Sequence, residues 1–153
     1  MRIAHAFASG FGIGHAPIAP GTIASAAALL SGWAMLDTEP MLLAVVSVMS
    51  VFGGIWAIHH ARVVGDPGWV VIDEFAGQWI TLLGLASDSA LDLLLAFVLF
   101  RILDITKPGP VGWADRQHGT FGIMGDDVIA GLLGASILYL LHPAWPMIVP
   151  ALP

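Results

Sequence analysis

The chain contains one uncharged stretch of 18 residues, Met41–Ile58, with the sequence MLLAVVSVMSVFGGIWAI. As an α-helix, which rises about 1.5 Å per residue, this stretch would nearly cross the ~30 Å hydrocarbon core of a bilayer. The alternative is a buried helix of a soluble protein. However, only 10% of the residues are charged and 58% are hydrophobic, whereas about a quarter of the residues of a soluble domain are charged. The sequence therefore predicts an integral membrane protein.

Four further apolar segments accompany this stretch: Thr22–Leu36, Phe75–Ala86, Ala90–Leu103 and Val128–Leu141. Strand alternation is absent from them, and a helical bundle is the spanning form that such lengths allow. Phe75–Ala86 is too short to cross as it stands, so it would be tilted, half-inserted or extended at either end. We therefore expect a single all-α domain over residues 1–153, a compact bundle of about four to five transmembrane or re-entrant helices. Small residues in the first segment would suit self-association into a homo-oligomer.

The basic residues indicate how the segments are oriented. If the segments alternate in direction, the N-terminus and the two long loops, 59–74 and 104–127, lie on one side of the membrane. All five basic residues lie in or beside these stretches: Arg2, Arg62, Arg101, Lys107 and Arg116. By the positive-inside rule, this side is the cytoplasmic one.

Two pairs of adjacent carboxylates lie on the same side. Asp73-Glu74 opens the third apolar segment, and Asp126-Asp127 stands at the start of the fifth. Each pair would serve equally well as a helix cap that interacts with the positive end of the helix dipole. Two convergent pairs would repel each other unless a cation lay between them, and Mg²⁺ prefers carboxylate oxygens. The combination therefore favours a metal site made of these four residues.

A cluster of alternating charge lies between the two acidic pairs. Arg101 and Asp104 are three residues apart, so they would share a helix face and pair. Lys107 precedes a proline, which disfavours helix at that position. Together with Asp115 and Arg116, these residues would bind metal and phosphate, because an arginine offers a fork of N–H donors to phosphate oxygens. The alternative is a set of interfacial anchors that extend towards the lipid headgroups.

The Gly/Pro-rich stretch 10–21 leads into the first apolar segment. Its backbone amides and the start of the following helix would form an anion site, with Thr22 or Ser25 adding a hydroxyl. A simple turn is the alternative, and a P-loop is excluded because its lysine is missing. The chain has no cysteine, which excludes cysteine-based phosphatase chemistry and thiolate metal sites.

Four motifs, in this order, resemble those of the phosphatidylglycerophosphatase A family: GFGIGHAPIAPGT, VVIDEFAGQWITLL, FRILDITKPGPV and GIMGDDVIAG. The resemblance extends from about Gly10 to Leu141. It implies a magnesium-dependent phosphatase of the bacterial cytoplasmic (inner) membrane, a multi-pass protein whose active site faces the cytoplasm. Its substrate would be phosphatidylglycerophosphate, converted to phosphatidylglycerol and phosphate at the cytoplasmic interface of the lipid bilayer, and no nucleic-acid partner is expected.

The resemblance also implies roles for individual residues. The catalytic positions would be Asp73, Glu74, Asp104, Asp126 and Asp127, with Asp73, Glu74, Asp126 and Asp127 as the Mg²⁺ ligands. The substrate-binding positions would be Thr22, Arg101, Lys107, Asp115 and Arg116. This chain departs from the family pattern at Ala24, Gly109, Gly112 and Gly125. These departures remove no carboxylate, so they concern headgroup binding and substrate range more than the reaction.

We hypothesise that water attacks the phosphomonoester directly, with one or two magnesium ions held by the carboxylates. The sequence leaves open which carboxylate is the base and which are ligands. It also leaves three rival functions: a small ion or proton transporter, a non-catalytic scaffold that binds anionic lipid, and a phosphatase for a different lipid phosphomonoester. The transporter is disfavoured because each acidic pair stands at the end of an apolar segment. The scaffold has no need of two acidic pairs.

Overall fold

A computed structural model describes residues 1–85 and 87–141 of the chain. In this part the chain forms seven α-helices and no β-strand, which confirms the predicted all-helical class. A single 3-10 turn, Ile13–His15, lies between the first two helices. The helices are α1 (Arg2–Ala8), α2 (Pro20–Thr38), α3 (Pro40–Ala61), α4 (Ile72–Leu82), α5 (Ala90–Thr106), α6 (Pro110–Asp115) and α7 (Thr120–Leu141).

Helices α2, α3, α4, α5 and α7 follow the five predicted segments approximately, and two of them differ in ways that bear on the acidic pairs. Helix α4 has 11 residues, a length of roughly 16 Å that is too short to cross a bilayer, and the predicted end of this segment at Ala86 lies outside the described residues. Helix α7 begins at Thr120 rather than near Val128. Asp126 and Asp127 therefore lie inside α7, and the expectation that they stand at its start and could cap it is wrong. The backbone amides that a cap would satisfy belong to residues 120–122, because the N–H of Ile123 already donates to the carbonyl of Gly119.

Two helices, α3 and α7, are long and apolar enough to span a membrane by length and composition. The remaining predicted spans are not established by this criterion. Large apolar side chains cover the outer face of α3. Val45, Val48, Met49, Phe52 and Ile55 are between 43% and 66% exposed. A contiguous apolar surface of this kind is unusual on a soluble monomer.

Helices α4 and α7 approach each other so closely that their backbones are in contact. A Cβ atom on Gly131 would lie 2.5 Å from the carbonyl oxygen of Gly77, and one on Gly77 would lie 2.6 Å from the carbonyl oxygen of Asp127. A Cβ on Gly134 would lie 3.0 Å from Cγ2 of Thr81. Small residues at such contacts let two helices pack without a layer of side chains between them. This contact sets the start of α4 beside Asp127.

The other helices hold this pair in place. Helix α2 lies along α4, where the Trp79 indole N–H donates to the carbonyl of Ala28 at 2.9 Å. Phe100 of α5 is fully buried and belongs to an apolar cluster with Ala130 of α7 and Val111 of α6. The polar ends of α2, α4, α5 and α7 consequently meet at one end of the bundle.

The contact between α4 and α7 predicts a difference between two glycines of the same helix. We expect Gly131→Ala to lower the free energy of unfolding by about 1–3 kcal/mol, because the added methyl group overlaps backbone that cannot move aside. Gly125→Ala is the matched control, since a Cβ there would make an ordinary contact at 3.5 Å with Phe121, and alanine is favoured over glycine in a helix by ~1 kcal/mol. Unfolding curves in detergent measure both. Equal stability of the two variants would contradict the close contact.

Candidate active site

Helix α4 supplies two carboxylates from its first turn. Asp73 is 6% exposed and accepts a hydrogen bond at 3.1 Å from the backbone N–H of Glu74. The chain before them is fixed, because the N–H of Val71 donates to the carbonyl of Ala8 at 2.9 Å. Both side chains therefore have a defined position at the polar end of the bundle.

Helix α7 supplies two more carboxylates, which lie against those of α4 and α5. Asp126 and Asp127 are 5% and 4% exposed. Asp127 lies within 4.8 Å, oxygen to oxygen, of Asp73 and Glu74 in one group of three, and of Asp104 and Asp126 in another. The structure thus brings together all five carboxylates that were predicted to be catalytic, and Asp127 joins the two groups.

Arg101 is the first cation of this site. Its Nη1 lies 2.7 Å from Oδ2 of Asp104, one turn further along α5, as the spacing predicted. The same nitrogen donates to the hydroxyl of Ser25 on α2 at 3.3 Å. The guanidinium group is therefore held between two helices.

Lys107 is the second cation, and it joins the buried carboxylates to the surface. The helix α5 ends at Thr106, and Lys107 has a φ of +47°, so its side chain leaves the helix before Pro108 as predicted. Its ammonium group donates to Asp126 at 2.7 Å and also to Asp115. Burial lowers the pKa of Lys107, but the hydrogen bonds that it donates to these two carboxylates outweigh burial and raise the pKa above its ordinary value.

The five carboxylates outnumber the two cations, so full ionisation leaves three negative charges uncompensated in a buried site. Buried charge is costly unless it is paired. In addition, Oε2 of Glu74 is buried and has no hydrogen-bond partner among the described residues. A set of carboxylate oxygens with unused bonding capacity suits a hard divalent cation such as Mg²⁺. The residues present therefore fit a metal site.

The start of α2 closes one side of this site. A Cβ atom on Gly21 would overlap Oε1 of Glu74, so a larger residue here would displace that carboxylate. Thr22 follows it and is exposed, whereas Ser25 is buried and contacts Arg101. Of the two hydroxyls considered from the sequence, the one that reaches the charged cluster is that of Ser25. A role for Thr22 in substrate binding stays a prediction.

Asp66 is a site residue that the sequence reasoning missed. It lies in the loop before α4, and with Asp115, Arg116 and His118 it lines a polar cavity of about 290 Å³ beside the carboxylates. Asp66 is exposed as a residue, but partial burial of its carboxyl group raises its pKa above the ordinary value. The positive charge of Lys107 opposes this shift, and the negative charges of Asp115 and Asp104 add to it. The loop has no periodicity that could place this residue. The only available signal was that loop 59–74 shares a side with loop 104–127.

The comparisons with known proteins agree with the family resemblance of the four motifs. A family model described as Phosphatidylglycerophosphatase A matches residues 6–142. The chain is 42% identical to Phosphatidylglycerophosphatase A of Escherichia coli (strain K12), over 94% of this chain and 86% of the relative. It is 34% identical to Phosphatidylglycerophosphatase A of Haemophilus influenzae, over 88% of this chain and 86% of the relative.

A third relative carries a different name. The chain is 38% identical to a putative phosphatidylinositol-3-phosphatase of Bacteroides thetaiotaomicron, over 81% of this chain and 84% of the relative. No solved structure matches the chain.

The pairing of Lys107 predicts a stability effect that does not change with pH. We expect Lys107→Met to lower the free energy of unfolding by about 1–3 kcal/mol, because the buried Asp126 loses its partner. A group whose pKa is raised by folding contributes its full stabilisation below its unfolded pKa of about 10.4 and loses it only as the pH rises through the higher folded pKa. Denaturant unfolding at pH 7, 8 and 9 should therefore give one value. Arg62→Met, at an exposed site, is the control, and a loss that shrinks between pH 7 and pH 9 would contradict the pairing.

Proposed function

The chain belongs to the phosphatidylglycerophosphatase A family, and on this premise we propose that it hydrolyses phosphatidylglycerophosphate to phosphatidylglycerol and inorganic phosphate in a magnesium-dependent reaction. As a member of this family it is a phosphatase, a phosphoric monoester hydrolase. The observation that carries the proposal is the convergence of five carboxylates and two cations at one end of the bundle. This arrangement has the charge and the oxygen ligands that metal-assisted phosphoryl transfer requires.

Magnesium is the cofactor that the donor set fits best. Asp73, Glu74, Asp126 and Asp127 would hold it, with Asp104 as a further oxygen donor. When bound, the metal would supply charge stabilisation to the phosphoryl oxygens and assist the ionisation of water. The two groups of three carboxylates, which share Asp127, offer places for one ion or for two.

The remaining chemistry belongs to the side chains of the chain itself. Arg101 and Lys107 would neutralise the non-bridging oxygens of the phosphate, and their fixed positions mean that little reorganisation is needed during the reaction. Water would attack phosphorus while the bond from phosphorus to the glycerol oxygen breaks. One carboxylate would accept the proton from water, and the glycerol oxygen would take up a proton as it leaves.

We propose that the protein is a multi-pass protein of the bacterial inner membrane, with about four to five transmembrane or re-entrant helices and the carboxylates on the cytoplasmic side. Two candidate spans and the exposed apolar face of α3 support this. The basic residues near the carboxylates support the cytoplasmic orientation. A lipid substrate would keep its acyl chains in the bilayer while its phosphate reaches the polar end of the bundle.

A different lipid phosphomonoester is the second candidate substrate. The relative named as a putative phosphatidylinositol-3-phosphatase favours it. The same carboxylates and cations would serve, because they would act on the phosphate rather than on the rest of the headgroup. Phosphate release from the two lipids, compared side by side, decides between them.

Asp127 gives the sharpest test of the metal site, because it belongs to both carboxylate groups. We expect Asp127→Asn to lower magnesium-dependent phosphate release from phosphatidylglycerophosphate by about a hundredfold or more, since several kcal/mol of transition-state stabilisation would be lost. The metal-free protein should be no less stable after the change, because one uncompensated charge is removed. Stabilisation by added Mg²⁺ should largely disappear.

The control for this variant is Asp37→Asn, an exposed carboxylate at the opposite end of α2. It should keep both the activity and the stabilisation by Mg²⁺. Full magnesium-dependent activity of Asp127→Asn would contradict the metal site. No phosphate release by the folded, unchanged chain with Mg²⁺ would contradict the substrate.

The orientation can be measured with single cysteines, because the chain has none of its own. We expect His118→Cys, in the loop before α7, to react with a membrane-impermeant maleimide from the cytoplasmic side. Asp37→Cys, in the last turn of α2, should react from the other side. Labelling of intact and of permeabilised cells distinguishes the two. Reaction of both positions from the same side would contradict the alternation of the helices.

A further inference from the structure

An apolar groove of about 360 Å³ lies between α1, α3 and α4. Phe75 and Trp79 of α4 form its floor, with ring centroids 5.3 Å apart. Val46, Met49 and Gly53 of α3 line its wall. The function proposed above does not use this groove.

The lining of the groove is almost entirely apolar. Its two side-chain donors already bond to backbone carbonyls of the protein. The hydroxyl of Ser50 donates to the carbonyl of Ser47 at 2.7 Å, and the indole N–H of Trp79 donates to the carbonyl of Ala28 at 2.9 Å. Water is a poor occupant of such a site because it would lose its hydrogen bonds. The chemistry of the lining therefore selects an alkyl chain.

The groove begins at the level of the carboxylates. Two of its lining residues, Ile72 and Phe75, directly flank Asp73-Glu74 in the sequence. From there it descends to the middle of α3, and Val46 and Gly53 are separated by seven residues, a rise of roughly 10 Å. One leaflet of a bilayer has a hydrocarbon depth of about 15 Å. The groove thus occupies the leaflet in which a lipid with its phosphate at the carboxylates would have its acyl chains.

A second apolar groove, between α5 and α7, lies mostly towards the other end of the bundle, although Ile102, next to Arg101 in the sequence, lines its near end. It is lined by Leu95, Val98 and Leu138 and reaches Asp92 in the first turn of α5 and Leu141 at the end of α7. These helix ends are opposite to the ends that carry the catalytic carboxylates. Most of this groove would therefore lie in the other leaflet, which makes it a natural control.

We infer that the groove between α1, α3 and α4 binds an acyl chain of the phospholipid substrate and so positions its phosphate at the carboxylates. This inference rests on the proposed function. Because lipid tails are as apolar as the groove, its contribution comes from packing and orientation rather than from a hydrophobic transfer. The groove should consequently matter for long acyl chains and not for chains too short to reach the middle of α3.

The test fills the groove and compares two substrates. Met49 is 63% exposed, so Met49→Trp can extend across the groove without entering the core of the bundle. We expect this variant to lower kcat/KM for dioleoyl phosphatidylglycerophosphate by about tenfold, or ~1.4 kcal/mol. The value for the dihexanoyl lipid should stay unchanged. Val98→Trp, at a residue 41% exposed in the control groove, should change neither value.

Four results would overturn the inference: no effect of Met49→Trp on either substrate, an equal loss with both substrates, a loss with the dihexanoyl lipid alone, or the same loss in Val98→Trp. The last of these would mean that filling either groove has the same effect, as expected if the groove between α1, α3 and α4 held only bulk lipid and no substrate chain. Thermal unfolding of each variant checks the fold, and Val46→Phe fills the groove at a second position if Met49→Trp unfolds. Failure of the unchanged chain to release phosphate from either lipid would overturn the proposed function itself, which is a different result from a loss that ignores chain length.

Discussion

The backbone contact between α4 and α7 is the interaction on which the rest of the structure depends. Because Gly77 and Gly131 have no side chain to separate the helices, the two backbones touch. This contact sets the short helix α4 beside a helix twice its length and fixes the position of Asp73 relative to Asp127. The same close approach that stabilises the bundle therefore brings together carboxylates even though their charges repel each other.

The charged groups concentrated at this end are the groups that could take part in catalysis. The chain holds five carboxylates with two cations, although apolar side chains in place of an ion pair would cost less free energy to bury. Arg101 and Lys107 are each shared between helices or between buried and exposed carboxylates, so neither is available to neutralise the whole site. The excess negative charge is what bound divalent cations would balance, and such cations would in turn attract the phosphate of a substrate. The stability of the fold and the proposed reaction thus depend on the same residues.

The apolar surface of the bundle complements its charged end. Helix α3 presents large side chains outward along most of its length, and the grooves between the helices are lined mainly by apolar groups. A lipid phosphomonoester has the same division, with a charged phosphate at one end and alkyl chains at the other. One groove lies beside Asp73-Glu74, whereas most of the other lies towards the opposite end of the bundle. This asymmetry would suit a substrate held in one leaflet.

Composition and motif order in the sequence determined the helical class, the family and the residues that form the charged cluster. Local spacing was sufficient for the Arg101–Asp104 pair and for the end of α5 before Pro108, because these depend on neighbours in the chain. The start of α7 was misplaced by the sequence, since the polar residues around Gly125 interrupt the apolar pattern although the helix continues through them. Only the tertiary structure decided that Asp127 joins both carboxylate groups, that Ser25 contacts Arg101 and that Asp66 lies beside the site. These contacts join distant parts of the chain, and helix packing rather than any local pattern determines their distances.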